Sequence, residues 1–279
     1  MGSGVGLVDL SQWVGVRRLQ RTSKPREWIG DRMRKNATEL RGHTLRAVDG
    51  DLGTVDDLLF DDQKWVIRHF VVDTGNWLAG RKVLISPIAF GEVQWEQQTF
   101  KVMLSRAHVQ ASPELRLDGP LTRREEAVLF DYYGYLPYWS GLALWGLGIY
   151  PAAAGPVLGS AELAAREDLA ALGFDLESGV PSQRSPDPQL RSMCAMVGSS
   201  VHCSDGELGQ VVDLVLDCDT FEVDSMVVQV TGRSGSLLVA PHRVTHVSWD
   251  ERRVEVALPR AAIHREAELG AQPRRAVPG

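Results

Sequence analysis

Short stretches of β-favouring residues separated by turn signals dominate the chain, and they come in two sets. In the first set, strands are expected at Thr44–Val48, Thr54–Phe60, Trp65–Asp73, Lys82–Ile85, Phe90–Trp95 and Phe100–Leu104. Turn signals at Asp49-Gly50, Asp61-Asp62-Gln63 and Glu96-Gln97-Gln98 divide them at the close spacing of small all-β domains. The second set is expected at Val201–Ser204, Gln210–Leu216, Phe221–Val230, Ser236–Val239, Val244–Trp249 and Val254–Leu258. Leu58-Leu59-Phe60 and Val71-Val72 are apolar on both faces, so something is expected to pack against the outside of the first sheet.

The two sets are copies of one another. Asp49-Gly50-Asp51-Leu52-Gly53 returns as Asp205-Gly206-Glu207-Leu208-Gly209, and Val55, Asp57, Leu58 and Asp61 are matched by Val211, Asp213, Leu214 and Asp217. Val71-Val72 then matches Val227-Val228, Pro87 matches Pro241, Val93 matches Val247 and Trp95 matches Trp249. The offset is 156 through Val72 and 154 from Pro87 onward. That period is too long for a solenoid, so the repeat reads as two small domains of one kind. Asp-Gly suits a tight hairpin, and Gly53 and Gly209 mark bulges or close backbone approach. A calcium loop is set aside, because alternating oxygen ligands ending in Glu are absent. Asp49, Gly50, Gly53, Asp205, Gly206 and Gly209 are therefore assigned to structural turns.

Between the copies, Thr122-Arg123-Arg124-Glu125 has the pattern of a capping box and predicts a helix from Arg123 to about Tyr133, stopped by Gly134. A second helix is expected over Ala161–Leu172, capped by Ser160 and ended by Gly173. The intervening run from Tyr132 to Ala161 holds no charge, yet Pro137, Pro151, Pro156 and several glycines argue against an unbroken membrane helix. It reads as an aromatic loop, either packed between the barrels or offered to a partner. Tyr138, Trp139, Leu142, Leu144, Trp145 and Leu147 are its candidate partner-binding residues, with the tyrosines expected to be more buried and Leu142–Tyr150 more exposed. Residues 175–191, with three prolines among polar residues, read as a flexible linker. Pro259 fits the first turn of a short helix reaching about Leu269.

The expected fold is mainly β: two small β-domains, barrels by the family resemblance given next, joined by a helical, aromatic, Gly/Pro-rich connection. The expected division is a basic arm over 1–37, a first barrel over 38–115, the connection over 116–191, a second barrel over 192–269 and a disordered tail over 270–279.

These residues carry a family resemblance. Gly42, the Asp49–Gly53 turn, Trp65-Val66-Ile67, Val71-Val72-Asp73-Thr74-Gly75 with Trp77 and Gly80-Arg81, and Ile85-Ser86-Pro87 together resemble the PRC-barrel family. That barrel is shared by the photosynthetic reaction centre H subunit and the C-terminal domain of a ribosome maturation factor. The second copy keeps the turn, Val227-Val228 and Ala240-Pro241 but lacks the Trp-x-x-Gly-Arg stretch, as a diverged copy does. The resemblance implies a non-catalytic role in a larger complex, at the cytoplasmic face of a membrane assembly or on a ribosomal particle. The chain departs from both relatives, since the H subunit's transmembrane helix and the maturation factor's extra N-terminal domain are not recognised in it.

Charge adds to the picture. A net charge of −6 argues against a general nucleic-acid binder. Residues 1–35 nonetheless hold eight Lys/Arg against three acids, a local +5 that leaves −11 for the rest. The favoured reading of this stretch is a terminal arm docked on the chain's own acidic barrels; the alternative makes Trp13, Arg17, Arg18, Arg21 and Trp28 contacts for an anionic membrane surface or an acidic partner. Three scattered cysteines, Cys194, Cys203 and Cys218, fit free thiols in a reducing compartment. No signal-peptide pattern opens the chain, so a cytoplasmic location is expected, with a peripheral position on the inner membrane face as the alternative that the basic arm raises.

Catalytic patterns are not found. His242 and His246 are four apart, but on an expected strand and without H-E-x-x-H, they read as polar surface residues. G-x-S-x-G, the P-loop and G-x-G-x-x-G after a strand are missing, and adjacent carboxylates such as Asp56-Asp57 point to opposite faces of a strand. No enzyme activity, cofactor or metal is expected. The leading expectation is a protein-interaction or assembly module whose partners are protein-complex subunits. The alternatives are a small-ligand or metal-binding regulatory module and a ribosome-assembly adaptor.

Overall fold

The computed structural model describes residues 33–117, 119–154, 189–232 and 235–263. The candidate membrane-contact residues Trp13, Arg17, Arg18, Arg21 and Trp28, the expected helix over Ala161–Leu172 and the tail over 270–279 lie outside the described residues.

Each repeat forms a six-stranded sheet of the same order. In the first, β2 (Thr44–Ala47), β3 (Gly50–Asp61), β4 (Val66–Asp73), β5 (Lys82–Ile85), β6 (Phe90–Gln94) and β7 (Thr99–Val102) are ordered β5-β4-β3-β2-β7-β6. In the second, β10 (Ser200–Cys203), β11 (Gly206–Asp217), β12 (Val223–Val230), β13 (Ser236–Val239), β14 (Val244–Ser248) and β15 (Arg253–Val256) follow β13-β12-β11-β10-β15-β14. All pairs are antiparallel except β2–β7 and β10–β15. Among the described residues no ladder joins β5 to β6 or β13 to β14, so the expected barrels are sheets whose hydrogen bonding does not close.

The repeat extends to backbone detail. Gly53 and Gly209 lie where their strands pass unusually close to the paired strand: a Cβ at Gly53 would sit 2.0 Å from the Asp73 carbonyl oxygen, and one at Gly209 1.9 Å from that of Gln229. Only glycine fits. Left-handed backbone recurs at equivalent non-glycine positions, Trp65 (φ 54°) with Phe221 (φ 58°) and Gln98 (φ 50°) with Arg252 (φ 49°). The Asp49 carboxylate accepts from Arg106 N at 2.8 Å, and the Asp205 carboxylate from Arg260 N at 2.9 Å.

The repeats are interlocked. The strand β1 (Arg34–Asn36) precedes the first repeat but pairs with β11 of the second, Asn36 opposite Val215. Reciprocally, β9 (Gln189–Ser192) precedes the second repeat but pairs with β3 of the first, Ser192 opposite Leu59. Asp213 then accepts from Thr38 N and Asp57 from Cys194 N, each at 3.1 Å. The centre of the exchange is the antiparallel bridge Val66–Glu222, flanked by Ile67 N to Phe221 O (2.8 Å) and Val223 N to Trp65 O (2.7 Å). Each contact maps onto the other at the offset of 156, which defines a local two-fold axis through this bridge.

Two expectations are corrected here. Residues 34–36 are not arm but sheet, and residues 189–191, expected in a flexible linker, are also sheet. A strand of three or four residues added to another repeat's edge has its partner, not its own sequence, as its cause. The apolar outer face of β3 is explained in the same way. Leu58, Leu59 and Phe60 are buried, with β9 and the helical turn Met193–Met196 packed on that strand.

Candidate interaction site

The connection begins with the short strand β8 (Leu121–Thr122), paired to β9, and α2 (Arg123–Tyr133). The capping box forms as its sequence requires. Thr122 Oγ1 accepts from Glu125 N, while the Glu125 carboxylate accepts from Thr122 N at 2.9 Å. Gly134, left-handed at φ 68°, ends the helix.

This helix delivers charge to the outer face of β4, where Arg68 and His69 are both fully buried. Glu126 meets His69 Nε2 at 3.0 Å and accepts from the Tyr138 hydroxyl at 2.9 Å and from Arg123. Arg123 also donates to Tyr138 Oη. The buried Asp61 carboxylate is 3.8 Å from Arg68 and 4.0 Å from Arg123. Two guanidiniums therefore face two carboxylates, the balance that a buried ionic cluster requires. Burial pushes Arg68 down from the usual arginine range, opposed by Tyr138, Asp61 and Glu126. Burial would raise Glu126, but the His69 hydrogen bond and the Arg123 charge outweigh it and hold that carboxyl below its ordinary value. Burial also raises Tyr138 well above a free phenol, so it stays a neutral donor.

Aromatic rings close over the cluster. The Arg68 guanidinium lies 3.6 Å from the Tyr138 ring centre and 4.7 Å from that of Trp145, and donates to Leu144 O at 2.8 Å. Trp145 Nε1 donates to Thr220 O at 2.9 Å, tying the loop to the second repeat. Arg123 stacks on Trp139 at 4.4 Å, and Phe130 packs edge-on against His69.

The six candidate partner residues thus divide. Tyr138 and Trp145 are completely buried, and Trp139 and Leu144 are half-buried. Leu142 is fully exposed and Leu147 about half, beside the exposed Ile149 and Tyr150. One stretch anchors and presents at once. Within the expected exposed part Leu142–Tyr150, Trp145 and Gly146 are buried, the indole held in by its hydrogen bond to Thr220 O and by Arg68. Sequence reading missed Arg68, His69, Arg123 and Glu126, because isolated charges in a strand and helix read as solvated. The one available signal was Arg68-His69 inside the apolar run Trp65–Val72.

His242 lies in a 3-10 turn (Pro241–Arg243) and His246 on β14, both exposed. Among the described residues no group of three or more His, Cys, Asp or Glu is placed to hold a metal ion, and no helix is long and apolar enough to cross a membrane. The three cysteines are free thiols, and burial pushes Cys218 up to about 12.

Comparison with known proteins adds two findings. An uncharacterized protein of Deinococcus radiodurans is 33% identical over 78 residues, which are 28% of this chain. The match likewise spans only 28% of that relative's length. Residues 34–105, which hold the glycines, turns and sheet of the first repeat, match the family model of the PRC-barrel domain.

Proposed function

We propose that the chain is a non-catalytic interaction module that docks a larger protein complex through the tip of its connection. The observation that supports this reading is the division of one uncharged loop. Tyr138 and Trp145 fix it to the sheets, while Leu142, Leu147, Ile149 and Tyr150 stand in solvent. Contiguous exposed apolar side chains mark interfaces, and a rigid base lowers the entropy lost on docking. The reading without catalysis draws on the same geometry. Glu126, His69, Arg123 and Tyr138 are the constellation closest to acid–base machinery, and all four are buried behind rings.

The partner class follows the family resemblance: a subunit of a membrane-associated assembly of the reaction-centre kind, met from the cytoplasmic side. The test is affinity capture from membrane and soluble fractions of the native organism, using the full chain and a Leu142→Ser/Leu147→Ser/Ile149→Ser variant. A partner enriched with the membrane fraction, lost by the variant and unaccompanied by a change in melting temperature supports the reading. Equal capture by both proteins contradicts it.

A further inference from the structure

The local two-fold axis relates two grooves, one filled and the other, among the described residues, open. The filled groove holds the connection: Trp145 on Thr220, Leu144 O on Arg68, and the turn Pro151–Ala154 against Pro87–Ala89. Under the repeat offsets, Thr220 corresponds to Lys64, Arg68 to Asp224, Val66 to Glu222, Ile88 to His242 and Glu92 to His246. Those counterparts, together with Asp62, line a cleft of about 670 Å³ at the same bridge. Its size is that of a ligand-binding pocket.

We propose that this open cleft receives a peptide segment of a partner protein that carries a cationic side chain beside a tryptophan. Two observations carry it. The filled counterpart shows what the groove shape accepts, an indole donating to a backbone carbonyl at the position equivalent to Lys64. The change of residues then sets the charge. Where the filled groove offers the Arg68 guanidinium to an occupant's carbonyl, the open one offers the Asp224 and Glu222 carboxylates, so its occupant must donate. Arg34 already places a guanidinium 2.9 Å from Asp224 at the rim. Both partners of that pair are substantially exposed, so it is weak enough to be displaced. This site is separate from the loop tip and goes beyond the docking role proposed above.

The probe is a fluorescein-labelled hexapeptide of alternating arginine and tryptophan, titrated into the full chain by fluorescence anisotropy. Expected are saturable binding that weakens with added salt and an affinity about tenfold lower in a Glu222→Gln/Asp224→Asn variant. Thr245→Trp, which fills the cleft from an exposed position without changing charge, is expected to abolish binding. The tip variant Leu142→Ser/Leu147→Ser/Ile149→Ser is expected to bind as the unaltered chain does, which separates this site from the docking loop. No binding overturns the proposal. So does equal binding of an arginine–alanine peptide, or an equal loss in Asp51→Asn/Glu96→Gln, which removes the same charge elsewhere.

Discussion

Replacing Trp145 by alanine tests whether the connection is anchored as described. The indole is completely buried, donates to Thr220 O at 2.9 Å and covers one face of a guanidinium with no exposure of its own. Truncating a core aromatic costs about 3–5 kcal/mol. The lost hydrogen bond and water reaching Arg68 place Trp145→Ala toward the upper end. In a chain of this length that is a fall in melting temperature on the order of 10 °C. Leu142, in the same uncharged stretch and fully exposed, should change stability by less than about 0.5 kcal/mol on truncation. Urea titrations of both variants followed by near-ultraviolet circular dichroism compare the two directly, with unchanged slopes showing that only stability moved. If Trp145→Ala shifts the midpoint no more than Leu142→Ala, the anchoring argument fails.

Further predictions concern the repeat and the buried cluster. Gly53→Ala and Gly209→Ala should each cost more than about 2 kcal/mol, because the added methyl meets a carbonyl oxygen at both sites. Gly42→Ala, left-handed at φ 82° in open space, should cost only about 1–2 kcal/mol; equal effects at Gly42 and Gly53 in thermal melts would remove the close-approach explanation. Gln98→Gly should stabilise by up to about 1 kcal/mol, relieving a left-handed exposed residue. Arg252→Gly should gain less, since it also loses the bond from Arg252 Nη2 to Val197 O at 2.7 Å. Glu126 is depressed in the folded chain, so its stabilisation is complete above the unfolded carboxyl value near ~4.3 and is lost as pH falls through the folded one. Glu126→Gln should therefore flatten the acid limb of a stability-against-pH curve, and an unaltered limb would show that the carboxylate is not held by its partners.

Local signals in the sequence located most elements and left out what joins them. The Asp-Gly turns and the Thr122–Glu125 capping box are short-range chemistry, so strands and the helix Arg123–Tyr133 fell where their residues placed them. The exchange of Arg34–Asn36 and Gln189–Ser192 has no such signal, since strands of three and four residues with Leu190 as their one apolar side chain are too short to show alternation. It was hidden for a physical reason: its energy lies in the other repeat. The site was legible only in outline. An uncharged aromatic run pointed to the connection, but Trp145 and Leu142 carry no difference in pattern that separates anchor from tip. Their fates are set by Arg68, on β4 far earlier in the chain, whose burial depends on Asp61 and Tyr138 closing around it. The open cleft was invisible for the same reason, as it exists only where both repeats meet.

Interlocking of the two repeats into one unit is tested most directly by a split chain. Two polypeptides, residues 1–170 and 171–279, are produced separately and together, with the break placed between the repeats. Each half then carries a strand that belongs to the other's sheet, β1 in the first and β9 in the second. Co-produced halves should purify as a one-to-one complex with a single cooperative melt, and neither half alone should show such a melt. Two halves that fold separately and do not associate would contradict it.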